Sequence, residues 1–98
     1  MGCAQQSYYI SVNPQSTDEA VAYYTSGLTL ASQGMHRDAI GEFKKAIAVD
    51  PYFAAPYLGL SKSYYAINNY EFALYYNIKN YELEVTRDYT YNFRLDVD

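Results

Sequence analysis

The chain is poor in the residues that usually carry chemistry. Its one cysteine, Cys3, excludes an internal disulfide, and its one histidine, His36, stands far from that thiol in the sequence. No glycine-rich phosphate loop, paired-cysteine metal motif or nucleophile motif is present. Glu82 and Glu84, two residues apart, would face different sides of a helix and so would not work as a carboxylate pair. The sequence is therefore expected to belong to a protein that is not an enzyme and uses no cofactor and no metal. Cations are also few: 7 Lys and Arg stand against 11 Asp and Glu, for a net charge of −4, and the longest basic run is Lys44-Lys45. Nucleic acids and anionic lipid surfaces reward clustered cations, so neither is an expected partner. No apolar run approaches the ~18 residues of a membrane-spanning helix, and no signal-peptide core is visible.

What the chain has is apolar and aromatic surface. At 98 residues it is one domain at most, and half of its residues are hydrophobic. A domain of this size buries only about 60–65% of its unfolded surface, so its core is thin. There are 14 Tyr and 4 Phe but no Trp. Tyrosine has an apolar ring and a polar tip, which suits core edges first and contact surfaces second.

Read in order, residues 1–15 carry no helical period. Tyr8, Ile10 and Val12 alternate with polar neighbours, so this end is expected to be extended up to a break at Pro14. Ser16-Thr17-Asp18-Glu19 has the spacing of a capping box and predicts a helix start. Ala20, Tyr23, Tyr24, Gly27, Leu28 and Ala31 then recur on one helical face, and Gly34 ends it. A second helix is predicted from about Arg37, with Ala39, Ile40, Phe43, Ala46 and Ile47 apolar, and with a stop at Asp50 before Pro51. A third is predicted over 54–67. A fourth is predicted from Tyr70 to about Val85, with the stripe Tyr70, Leu74, Ile78, Tyr81, Val85. Over residues 88–98 the period changes to two, and Tyr89, Tyr91, Phe93 and Leu95 are predicted to pair as a strand. Its edge partner would be segment 7–13, the tail of a second copy, or a β domain further along a longer chain.

A shift of 34 positions places Tyr57 on Tyr23, Ser61 on Gly27, Tyr64 on Leu30, Asn68 on Gly34 and Ala73 on Ala39. Together with Phe43, Ala46 and Pro51 in the first unit, this pattern resembles the tetratricopeptide repeat family, whose unit is a helix–turn–helix of that length. The resemblance implies an all-α domain over 16–87. It would be a two-repeat solenoid of four antiparallel helices, with repeats at 20–53 and 54–87. The second repeat departs from the pattern. Asn77 stands where an aromatic belongs, Asn80 where a small residue belongs and Val85 where proline belongs, and the apolar stripe is rotated. Helix four then reads as an end cap, or as a helix that packs on something other than a third repeat.

By the same resemblance, the first helix of each repeat would line a concave groove that holds a peptide or protein segment. The implied groove residues are Val21, Tyr24, Leu28 and Ala31, then Ala55, Leu58, Lys62 and Tyr65. With Lys62 as the only cation, apolar or aromatic contact is expected rather than capture of a terminal carboxylate. The alternative is a self-assembling structural module that dimerises through its terminal strand. Met1-Gly2-Cys3 leaves three readings open. Cys3 is an ordinary free thiol; or the stretch resembles the start of a mature bacterial lipoprotein, lipidated at Cys3; or Gly2 is myristoylated, against which Gln6 stands where Ser or Thr is wanted. The compartment follows the choice: cytoplasm, or the bacterial cell envelope if Cys3 is lipidated.

Overall fold

The structure is a computed structural model that describes residues 14–97, and side-chain environments are described for the inner part of that range. Four helices follow one another: α1 (Pro14–Ser32), α2 (His36–Val49), α3 (Ala55–Ala66) and α4 (Tyr70–Val97). No strand occurs among the described residues.

α1 begins earlier than the capping pattern predicts. Pro14 is its first residue instead of a break. Proline suits that position, because its fixed φ is helical and a first-turn N–H has no partner in any case. Ser16 consequently lies inside the helix and cannot be its N-cap.

The turns inside the two halves are built alike. Gly34 has φ +81°, and Met35 N–H donates to Leu30 O at 2.9 Å. Thirty-four positions on, Asn68 has φ +68°, and Asn69 N–H donates to Tyr64 O at 2.9 Å. Each is a left-handed helix end closed by a bond back across the last turn, which satisfies orphan carbonyls. Glycine and asparagine are the residues that adopt such a φ most cheaply. Between the halves, α2 ends at Val49 and Asp50 is extended (φ −138°, ψ 92°), as its place before Pro51 requires.

These short connections fold the chain back on itself. α1 packs on α2, and α3 packs on α4. α2 joins the two pairs through α3, which also meets α1. The junction is centred on Phe43 and Leu60, both fully buried. A Cβ on Gly27 would come within 2.5 Å of the Phe43 ring, and one on Gly59 within 2.7 Å. The ring therefore lies between the bare backbones of α1 and α3. Ala39, Ile40, Tyr64 and Ala73 complete the core. The Tyr64 and Tyr76 rings stack with centroids 5.6 Å apart and planes 2° apart.

Buried hydrogen bonds fix α4 on α3. The Ser61 hydroxyl donates to Ala73 O at 2.7 Å, and the Asn80 side-chain amide donates to Ala54 O at 3.0 Å. The two residues that break the repeat pattern near this contact thus differ in role. Asn80 ties the helices together, whereas Asn77 is exposed.

The predicted tail strand is overturned. Residues 88–97 continue α4, so Tyr89, Tyr91, Phe93 and Leu95 lie on a helix and do not pair as a strand. An existing helix gains one internal hydrogen bond for each residue it adds, while a lone strand leaves its amides unpaired. Alternating sequence alone does not offset that difference. The part of the chain over 1–13 that was predicted to be extended, including 7–13 and Cys3, lies outside the described residues.

Candidate functional site

The eight residues expected to line a groove divide into two groups. Tyr24 turns inward: its ring lies 5.9 Å from that of Phe43 and 5.4 Å from that of Phe53, edge to face with the latter. Ala31 packs against the core cluster, and Ala55 is half-buried. Val21 and Leu28 on α1, and Leu58, Lys62 and Tyr65 on α3, are exposed. Of these five, Leu58, Lys62 and Tyr65 share the lining of one groove, and Lys62 is the only cation.

The second feature is a groove between α3 and α4 of about 570 Å³. Leu58, Lys62 and Tyr65 form one wall, Tyr70, Leu74 and Asn77 the other, and Ser61 and Ala73 the floor. Its α4 wall was not among the residues expected to bind. The visible signal was the rotated stripe Tyr70, Leu74, Ile78, Tyr81, Val85. The structure places that stripe in solvent, with Leu74 61% and Tyr81 67% exposed. The face of α4 that meets α3 carries Ala73, Tyr76 and Asn80 instead.

Three cations sit over rings: Lys44 over Tyr64, Lys45 over Tyr23 and Lys79 over Tyr75, each 5.6–5.7 Å from the centroid. Lys45 also pairs with Glu42 at 3.1 Å, and Lys79 with Glu82 at 3.8 Å. Lys62 has no such partner among the described residues. Burial pushes the Tyr57 and Tyr76 hydroxyls above the ordinary tyrosine pKa. Neighbouring tyrosines add to both shifts, and Lys44 opposes that of Tyr76. Hydrogen bonding to Tyr64 raises the Lys44 pKa against a smaller lowering from burial.

His36 is not a loop residue but the first residue of α2, and its Nδ1 is buried without a hydrogen-bond partner. Among the described residues, no three His, Cys, Asp or Glu side chains gather as a metal site. No described helix is long and apolar enough to cross a membrane. No protein-family model, curated protein or solved structure matches this chain.

Proposed function

We propose that the chain is a non-catalytic interaction module of tetratricopeptide type, which holds a peptide or protein segment against the outer face of α1 and α3. The observation that carries this reading is the exposure of Val21, Leu28, Leu58 and Tyr65 on the first helix of each pair. Each presents a large apolar side chain to water. Two further observations support the repeat assignment: the matching left-handed turns at Gly34 and Asn68, and the Phe43 ring between α1 and α3. A segment bound here would be recognised mainly by apolar and aromatic contact.

Val21→Asp and Leu28→Asp test the face, because both side chains are exposed and neither touches the α3–α4 groove. Peptide-array binding by the full chain is expected to drop at least tenfold in the double variant, with an unchanged helical circular dichroism spectrum. Tyr24→Ala is the wrong probe, since it empties a place beside Phe43 and Phe53. Undiminished binding by the correctly folded double variant would remove the α1 face from the proposal.

A further inference from the structure

The exposed stripe of α4 has an order that a general docking surface does not need. Its spacings from Tyr70 to Val85 are four, four, three and four. From Leu74 onward they alternate as in the seam of two packed helices. Four of its five residues also mirror one another along the helix. About a midpoint between Asn77 and Ile78, Leu74 balances Tyr81 and Tyr70 balances Val85. An antiparallel copy of α4 centred on that midpoint therefore meets apolar with apolar at the Leu74–Tyr81 and Tyr70–Val85 levels, and at the centre each Ile78 stands within one residue of the axis, beside Asn77 and Ile78 of the other copy. A two-fold symmetric interface demands such self-complementarity, because one patch must serve on both sides.

We infer that this face is closed by a second copy of the chain, α4 against α4 in antiparallel register about the Asn77–Ile78 midpoint. The area fits. Tyr70, Leu74, Ile78, Tyr81 and Val85 are 41–67% exposed. At about 150–250 Å² per tyrosine, Tyr70 and Tyr81 alone offer roughly 200–300 Å². With the aliphatic groups, the patch exceeds the few hundred Å² usual on a monomer and approaches the ~800 Å² per copy of a standard interface. Charge fits on the α3 flank. Ser61 bonds to Ala73 O, so Lys62 stands at about the level of Ala73 and Leu74. Glu84, one heptad from Asn77, lies on that same flank of the stripe. In this register Glu84 of one copy stands at the level of residue 71 of the other, about 4 Å along the axis from the level of Lys62, and this approach occurs twice by symmetry. On the opposite flank Glu71 and Glu82 approach each other, and Lys79 beside Glu82 moderates the repulsion.

The shape of the chain is consistent with this closure. α4 has 28 residues against 12 in α3, so more than half of it runs past the helix it packs on. The radius of gyration, 15.7 Å, exceeds the ~13 Å of a compact domain of this length.

Sedimentation equilibrium of the full chain at tens of micromolar is expected to give twice the 11.2 kDa chain mass. Leu74→Asp with Tyr81→Asp is expected to halve that mass while the helical circular dichroism signal stays. The register is read by disulfide trapping in a Cys3→Ser background. Ile78→Cys, at the axis, is expected to cross-link to its own copy. Val85→Cys would lie about 22 Å along the helix from its copy and is expected not to. Three results would overturn the inference: a wild-type monomer at that concentration, a dimer that survives the double substitution, or cross-linking at Val85→Cys as efficient as at Ile78→Cys. None of these readouts depends on Val21 or Leu28, so failure here leaves the proposed α1 face separately tested.

Discussion

At the scale of single residues, the tightest statement concerns three glycines. Gly27 and Gly59 give the Phe43 ring its place, and an added Cβ on either would meet the ring inside 3.0 Å. The ring cannot move away, because Phe43 is only 1% exposed and the other glycine backs it. Gly27→Ala and Gly59→Ala are therefore expected to destabilise by about 1–3 kcal/mol, more than the gain in helix propensity returns. Gly41 is the control. It lies within α2 with nothing within 4 Å of an added Cβ. Gly41→Ala is expected to stabilise by about 0.5–1 kcal/mol. Urea unfolding of the three variants checks both signs. A Gly27→Ala protein as stable as wild type would show that the ring is not held as described.

At the scale of elements, α4 decides how the second pair departs from the first. Its inward face holds α3 through Ala73, Tyr76 and the Asn80 amide, whose bond to Ala54 O spans 26 residues of sequence. Asn80→Ala removes that donor and leaves a part-buried carbonyl short of a partner, with an expected loss of about 1–2 kcal/mol in chemical unfolding. Asn77→Ala, on the outward side, is expected to change the stability of the fold by less than about 0.5 kcal/mol in the same measurement. The far end of α4 behaves differently. A helical segment of about a dozen residues is marginal in water without packing. Truncation after Arg87 is expected to leave the thermal midpoint of the remaining helices within about 3 °C, which corresponds to a few tenths of a kcal/mol. A larger fall would mean that the tail packs on the body of the chain.

At the scale of the whole molecule, the two helix pairs share one core and are expected to unfold together. Their common weakness is alkaline pH. Tyr57 and Tyr76 hold their protons more tightly folded than unfolded, because burial disfavours the phenolate. The unfolded chain releases those protons near pH 10, so the stability they contribute is complete below that value. It is lost as the pH rises through their higher folded values. Thermal midpoints are therefore expected to fall above about pH 10, and the Tyr57→Phe, Tyr76→Phe double variant to fall less steeply over the same range. The Tyr57 hydroxyl donates to Pro51 O at 2.8 Å, so that variant starts from a slightly lower midpoint at neutral pH. A variant that declines as steeply as wild type would move the alkaline sensitivity to other groups.

The helices and their turns were legible in the sequence because their causes are local. Apolar spacing marked α2 and the packed faces of α1 and α3. Gly34 and Asn68 marked the left-handed turns, and Asp50 before Pro51 marked the end of α2. Gly27 and Phe43 were also visible as positions of the repeat pattern, although Gly59 as the ring's other wall was not. Three things were not legible in the sequence, the last two of them decided by tertiary structure. Residues 88–97 joined α4, because helix propagation needs no partner and a strand does. Tyr24 turned inward, because Phe43 and Phe53 left it a place there. The α4 stripe faced water, because the contact with α3 was taken by Ala73, Tyr76 and Asn80. Periodicity shows that a face is apolar. Which face is buried depends on the surfaces opposite, and those belong to other parts of the chain.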